Sequence, residues 1–254
     1  MKRFFTIVIL LLCVGALHAQ RIKVLSYNIH HGNPPEIPGK IDLEKIAQII
    51  VASGADLVGI QEVDVNVSRS NNIDQAKVLA ELTGMYYFFS KGIDLEKGEY
   101  GTLILSKHKI VGKRRYDLPM VEPSENRSLA IVDVELPNGK QISFANTHLD
   151  LKAKNKVEQA KYINELGDWY SRPLILVGDL NAEPETEPIQ LLEHFFVRNT
   201  KQNGATFPNT KPRTEIDYIM VGKHSKFSWI DYRVLNEPYG SDHLPLFAEL
   251  NITQ

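Results

Sequence analysis

Leu174-Ile175-Leu176-Val177-Gly178-Asp179-Leu180-Asn181 is a short run of apolar, β-prone residues that stops abruptly at Gly-Asp-Leu-Asn. Such a run reads as a buried strand whose end delivers a carboxylate and a carboxamide into a cleft. Asp179 and Asn181 lie two apart, so on extended backbone their side chains leave from the same face. A carboxylate beside an amide can hold a hard cation or a phosphate oxygen. Taken alone, the same tetrapeptide also reads as an Asx-turn closing a strand.

Similar runs recur at Ile22 to Ile29, Leu57 to Glu62, Leu103 to Ser106, Leu129 to Leu136, Gln141 to His148, Ile216 to Val221 and Leu246 to Leu250. Pro137-Asn138-Gly139-Lys140 between two of them predicts a hairpin turn. Helical spacing is kept by Leu43, Ile46, Ala47 and Ile50, by Val78, Leu79 and Leu82, and by Val157, Ala160, Ile163 and Leu166. Hairpins and helical crossovers both occur. The pattern therefore predicts one α/β domain with two mixed or antiparallel sheets faced by helices.

Several strands stop in residues able to handle a metal or a phosphate. These ends are Tyr27-Asn28-Ile29-His30-His31, Gln61-Glu62-Val63-Asp64, Asn146-Thr147-His148-Leu149-Asp150, Gly178-Asp179-Leu180-Asn181, Ile216-Asp217-Tyr218 and Ser241-Asp242-His243. Each has a plain structural reading: Glu62 as a strand-end charge, His148 as a packed core histidine, His243 as part of a surface turn. Asp217 sits inside an apolar run, where an unpaired carboxylate is costly, so a histidine or metal partner is expected. Together the ends predict one polar cluster at the edge of packed sheets. His30 and His31 are adjacent, so at most one is expected to face that cleft, and both are read as loop positions.

The chain has 254 residues and 43% hydrophobic content, enough for a sizeable core. Lys2 and Arg3 precede an apolar run from Phe4 to about Leu17, followed by His18-Ala19. This predicts a secretory signal peptide over residues 1–19 ahead of one catalytic domain over 20–254. The run falls short of the ~20 residues of a spanning helix, so no stable membrane anchor is expected. Export to the periplasm or extracellular space follows. Cys13, the only cysteine, lies inside that segment, so the mature protein has no disulfide and no zinc–thiolate site. Loss of Lys2 and Arg3 takes the formal charge from −2 to −4. Lys152, Lys154 and Lys156, the densest basic stretch, read as a solvated helix start rather than a nucleic-acid arm.

In order, from Tyr27-Asn28 to Ser241-Asp242-His243, this set resembles the endonuclease/exonuclease/phosphatase superfamily, which includes pancreatic deoxyribonuclease, abasic-site endonucleases, sphingomyelinases and inositol polyphosphate phosphatases. The resemblance covers nearly all of the mature chain. It implies a four-layered α/β sandwich, with two sheets packed face to face and helices outside. It implies that Glu62 is the principal Mg²⁺ ligand, with Asn28 beside it and Asp242 a further metal-side carboxylate; Mn²⁺ or Ca²⁺ are alternative ions. Asp179 and Asn181 would position the nucleophilic water and a phosphoryl oxygen. His243 would activate water or meet the phosphate, oriented by Asp217. His148 matches a second histidine that the abasic-site branch lacks.

The expected activity is therefore a secreted, Mg²⁺-dependent phosphoester hydrolase, a phosphodiesterase or phosphatase, using a metal-bound phosphate and a histidine-activated water. Compact inter-motif segments and the lack of a basic groove point to a small or lipid-linked phosphate substrate and to a monomer. Arg69, Arg127 and Tyr100 are candidate substrate contacts, the arginines because guanidinium binds phosphate bidentately. The alternative is a secreted, nonspecific nuclease of the deoxyribonuclease type, with nucleic acid a less favoured partner. A non-catalytic binding module on the same fold need not keep Glu62, Asp179, Asn181, Asp217 and His243 together.

Overall fold

A computed structural model describes residues 20–202 and 204–253; the expected signal peptide lies outside them. In chain order the strands are β1 (Gln20–Asn28), β2 (Leu57–Val65), β3 (Tyr86–Leu95), β4 (Gly98–Ser106), β5 (Lys109–Asp117), β6 (Ser128–Glu135), β7 (Gln141–His148), β8 (Leu174–Asp179), β9 (Phe196–Arg198), β10 (Asp217–Gly222), β11 (Lys226–Val234) and β12 (Leu246–Thr253). The α-helices are α1 (Leu43–Ser53), α2 (Gln75–Thr83), α3 (Ala153–Asp168) and α4 (Glu187–Leu192).

The strands form two six-stranded sheets, ordered β11-β12-β1-β2-β4-β3 and β5-β6-β7-β8-β10-β9. Each sheet has one parallel pair near its middle, β1 with β2 and β7 with β8, and antiparallel neighbours elsewhere. Parallel strands need a crossover. The apolar spacing that begins at Leu43 supplies α1 for the first, and the spacing that begins at Val157 supplies α3 for the second. Asp42 caps α1 by accepting the Lys45 N–H at 3.1 Å, and Gly54 ends it in the left-handed conformation.

Strand alternation divides the core into three layers of side chains. Val24, Leu57, Ile104, Leu246 and Ala248 of one sheet meet Val132, Phe144, Ile175, Val177 and Ile219 of the other. The opposite face of the first sheet, Leu25, Val58, Ile60 and Leu103, packs on Leu43, Ile46, Ile50 and Leu79 of α1 and α2. The outer face of the second, Ile131, Ala145, Leu176 and Met220, packs on Ala160, Ile163, Leu166 and Leu192 of α3 and α4. The result is the expected four-layered α/β sandwich. Each fully buried Leu, Ile, Val or Phe contributes about 1.5–3 kcal/mol before chain entropy is counted.

Two glycines allow close approach, Gly59 between the sheets and Gly178 between neighbouring strands of the second sheet. A Cβ on Gly59 would lie 2.2 Å from Val177 Cγ2, and one on Gly178 would lie 2.1 Å from the Thr147 carbonyl oxygen. Gly59 lies three residues before Glu62, so it sets how closely that strand approaches β8; Gly178 lies directly before Asp179.

The predicted hairpin joins β6 to β7, with Asn138 Oδ1 accepting the Lys140 N–H at 3.0 Å. Strands β3, β5 and β11 lie outside the apolar runs. All three are edge strands, and in β5 and β11 exposed residues alternate with half-buried ones, as in Lys109-Ile110-Val111-Gly112-Lys113-Arg114-Arg115. No helix among the described residues is long and apolar enough to cross a membrane.

Candidate active site

Asp179 is the hub. In the second sheet it is the register partner of His148 on β7 and of Asp217 on β10, so three strand termini present their side chains side by side. The first sheet delivers Asn28 from the end of β1 and Glu62 from within the neighbouring β2, next to the Asn28 partner Gln61. Asn28 Nδ2 donates to Asp179 Oδ2 at 3.0 Å and to Glu62 Oε1 at 2.9 Å, tying the sheets together. Its own Oδ1 accepts the His30 N–H at 3.0 Å. In this arrangement Asn28 acts as a donor bridging two carboxylates.

Glu62 reaches this position through a bulge. The β2–β4 register slips between Ile60 and Val63, and Glu62 takes the left-handed conformation with φ of 60°. The side chain of Asn146 on β7 satisfies the carbonyls at the slip, donating to Ile60 O at 2.9 Å and Leu103 O at 3.0 Å. Its Oδ1 accepts from Gln61 Nε2 at 2.7 Å. The Asn and Gln of these strand-end motifs thus support the bulge. Sequence gave them no role, because buried amides look alike until the opposite sheet is in place.

His243 and Asp217 form a buried dyad. His243 Nδ1 is 2.8 Å from Asp217 Oδ2, the same oxygen that accepts from Thr206 Oγ1. Asp217 Oδ1 is buried and makes no hydrogen bond among the described residues. Phe207 packs against the His243 ring, 4.9 Å between centroids. His243 Nε2 points back toward Asp179 Oδ2 at 3.7 Å, and His148 Nε2 approaches the same oxygen at 3.5 Å.

The electrostatics separate the two histidines. Burial opposes protonation of His243, but the charge and hydrogen bond of Asp217 outweigh it, raising its pKa to about 10. His148 is pushed well below the usual histidine range by burial, then by Arg127 and His243. Arg127 Nη1 lies 3.3 Å from His148 Nδ1. An arginine can only donate, so Nδ1 accepts and the proton of the neutral ring sits on Nε2, facing Asp179. Burial and the neighbouring Asp217 raise Asp179 to about 7, against the opposing pull of His243, the Asn181 N–H and Asn28. Asn181, at φ of 48°, turns the chain back so that its N–H reaches Asp179 Oδ1 at 2.9 Å, while its Nδ2 donates to Leu149 O. The Asx-turn reading of this tetrapeptide is thus realised, with Asp179 Oδ2 left facing Asn28 and the two histidines.

The outer candidates are distributed around this centre. Arg69 is committed to the buried Asp64 by two hydrogen bonds of 2.8 Å and lies over the Tyr100 ring. Tyr100, Arg127 and His148 line one small pocket with Gly101, Thr102 and Ser128. Arg127 also pairs with Glu125 at 2.8 Å. Asp242 accepts from Ser241 Oγ at 3.2 Å and stands outside the Asp179, Asp217 and His243 group. Lys156 departs from its expected solvated place: its Nζ donates to the Asn181 carbonyl. His31 was read as a loop residue; it sits in a tight 3-10 turn with Nδ1 4.0 Å from Glu62 Oε2.

The donor set fits a hard divalent cation. Ligand atoms of Asp179, Asp217 and His243 lie within 4.8 Å of one another, and Glu62 is joined to Asp179 through Asn28 Nδ2. The charged partner nearest to Asp179 is His243, already shared with Asp217. Lys156 and Arg127 are spent on a carbonyl and on Glu125. Oxygen-rich sites with surplus negative charge are those that bind Mg²⁺, Mn²⁺ or Ca²⁺.

The sequence profile of the Endonuclease/Exonuclease/phosphatase family matches residues 25–243, spanning every strand end named above. The chain belongs to the endonuclease/exonuclease/phosphatase family. Members of this family are phosphoester hydrolases, generally dependent on a divalent metal. Among solved structures, the chain is similar to a family protein from Beutenbergia cavernae, at 23% identity and TM-score 0.75, over 92% of this chain and 72% of that one. It is similar to a mannosyl-6-phosphatase from Bacteroides thetaiotaomicron, at 22% identity and TM-score 0.75, over 90% and 99%. It is also similar to ANGEL2, a 2',3'-cyclic phosphatase, at 14% identity and TM-score 0.71, over 92% and 96%. At these identities the likeness is one of fold. The endonuclease/exonuclease/phosphatase sandwich thus accounts for the architecture.

Proposed function

We propose that this family member is an exported, Mg²⁺-dependent hydrolase of a compact phosphoester, with residues 1–19 as its export signal and 20–254 as its catalytic domain. The observation that carries the reading is the convergence on Asp179 Oδ2 of Asn28 at 3.0 Å, His148 at 3.5 Å and His243 at 3.7 Å, from both sheets.

Glu62, with the Asn28 amide beside it and Asp242 a further carboxylate by resemblance to the family, would hold the cation, which would supply positive charge to the phosphoryl oxygens. The chain's own groups do the rest. His243, held as imidazolium by Asp217, donates a hydrogen bond or a proton through Nε2 to the phosphoryl or leaving oxygen. Asp179, raised to about 7, accepts a proton from the attacking water, whose position Asn181 helps to fix. His148 Nε2–H contributes a further donor. This reading moves water activation from the histidine, where the sequence placed it, to Asp179, because a histidine raised to about 10 is a poor base at neutral pH.

A small substrate is supported by the pairing of the arginines near the cleft among the described residues: Arg69 with Asp64 and Arg127 with Glu125. The phosphatases of known structure with this fold point the same way. The test is a panel of sugar phosphates, 2',3'-cyclic nucleotides, inositol phosphates, sphingomyelin, bis-p-nitrophenyl phosphate, DNA and RNA, each with Mg²⁺. Turnover of a small phosphoester with inert nucleic acid supports the reading; rapid DNA or RNA digestion alone assigns the protein to the nucleases instead. Export is tested by N-terminal sequencing of the mature protein, expected to begin at about Gln20.

A further inference from the structure

His30, His31 and Gly32 form a left-handed turn, with φ of 45°, 45° and 72°. Two consecutive non-glycine residues in that region are uncommon, and such strain persists only where surroundings over-determine it. Here they do. Asn28 Oδ1 accepts the His30 N–H, Ile29 O accepts the Gly32 N–H at 2.8 Å, and Gly32 O accepts the Asp42 N–H at 2.8 Å. Gln75, buried on α2, donates to His31 O at 2.6 Å and accepts the Asp64 N–H at 3.0 Å, binding the turn to the Glu62 strand.

This scaffold aims one atom. His31 Nδ1 is buried, has no hydrogen-bond partner among the described residues, and lies 4.0 Å from Glu62 Oε2. Glu62 Oε1 accepts from Asn28, and Oε2 is the oxygen that faces His31 Nδ1. A separation of 4.0 Å is within reach of two donors on one ion, since each bond is about 2 Å long. Nothing in the cluster of Asp179, Asp217 and His243 calls for His31, and a hydrogen-bonded structural histidine would not leave this nitrogen bare.

We propose that His31 is a nitrogen ligand beside Glu62 in the divalent-cation site. The inference rests on the cation-dependent reading above. Its consequence is ion preference: an imidazole favours Mn²⁺ and Co²⁺ over Mg²⁺, which takes oxygen donors.

The experiment uses the full mature protein and His31→Asn, chosen because asparagine tolerates the left-handed conformation and preserves the turn. His31→Ala serves as a second variant, and circular dichroism checks that both fold. Calorimetric titration with Mn²⁺ and with Mg²⁺ gives the ratio of their affinities, and electron spin-echo modulation of the Mn²⁺-loaded protein detects imidazole nitrogen. The expected result is an Mn²⁺:Mg²⁺ affinity ratio lowered by about tenfold or more in His31→Asn, with weakened nitrogen modulation. An unchanged ratio and unchanged modulation, with cation-dependent activity intact, overturn this inference alone. Failure of the native protein to bind either ion overturns both this inference and the cation-dependent function.

Discussion

His243 Nδ1 and Asp217 Oδ2 are 2.8 Å apart, and that contact decides which histidine nitrogen is left for substrate. Nε2 is the free one, turned toward Asp179 Oδ2. Asp217→Asn keeps the shape but removes the charge that holds the imidazolium. We expect kcat to fall about 10²- to 10⁴-fold, the range attributed to a positioned acid or base, with a much smaller change in KM. Nuclear magnetic resonance titration of the His243 ring should find its pKa displaced from about 10 toward the ordinary value of 6.5.

The pH dependence of stability follows from Asp179 and His243. Both have folded pKa values above their unfolded ones: about 7 against 3.8, and about 10 against 6.5. A raised folded pKa stabilises fully below the unfolded value and is lost as pH rises through the folded value. The cation-free protein therefore loses stability between pH 4 and about 7 through Asp179, and again toward about 10 through His243. Asp179→Asn should raise Tm above pH 7, by roughly a few kcal/mol of stability, with the gain vanishing near pH 4. Mg²⁺ should stabilise the native protein at pH 8 and leave Asp179→Asn less affected. Differential scanning calorimetry at several pH values, with and without Mg²⁺, measures both effects.

Gly59 sits where the two sheets touch, under Val177 and Asn146. Gly59→Ala places a methyl group against Val177 and forces the strands apart. Overpacking of this kind costs about 1–3 kcal/mol, visible as a lowered midpoint in urea. Because Glu62 lies three residues on, the same change should also weaken cation binding.

Asn146 supports the Glu62 bulge from across the sandwich. Asn146→Leu takes the side-chain donor from the Ile60 and Leu103 carbonyls and leaves the Gln61 amide only its longer bond to Ser26 Oγ at 3.4 Å. Each unsatisfied buried group costs about 1–3 kcal/mol. Beyond that loss of stability, Mg²⁺ affinity should fall at temperatures where the variant remains folded, since Glu62 loses the geometry that turns it into the cleft.

Asp133 tests a region remote from chemistry. It accepts from Arg114, Ser143 and Arg172, and although burial acts the other way, these partners hold its carboxyl below the usual range. Its contribution is present above the unfolded value of 3.8 and is lost as pH falls below it. Asp133→Asn should lower stability at neutral pH by about 1–3 kcal/mol and flatten the acid limb of the Tm profile.

The central strands were legible because β1, β2, β6, β7, β8, β10 and β12 are covered on both faces and read as continuous apolar runs. Lys109 to Asp117 and Lys226 to Val234 escaped because edge strands alternate charge with partial burial. The gathering of the polar residues at strand ends was legible, since Glu62, Asp217 and His148 are out of place in apolar runs. Their partners were not. Sequence cannot say that Arg69 spends itself on Asp64, that Lys156 turns inward to Asn181, or that Asn28 gives its oxygen to His30. Those assignments depend on which strands become neighbours, a long-range fact that local periodicity does not encode. The roles of His31 and Asn146 depend on backbone turned left-handed or slipped in register, where a single residue changes face.

The most direct test of the account is hydrolysis of bis-p-nitrophenyl phosphate by native protein, Glu62→Gln and Asp179→Asn, each titrated with Mg²⁺ after chelation. The account predicts saturable, Mg²⁺-dependent p-nitrophenol release by the native protein, abolished by chelation and restored by Mg²⁺. It predicts that both substitutions reduce release by about 10²-fold or more. Release that persists in chelator, or that survives both substitutions, would contradict it.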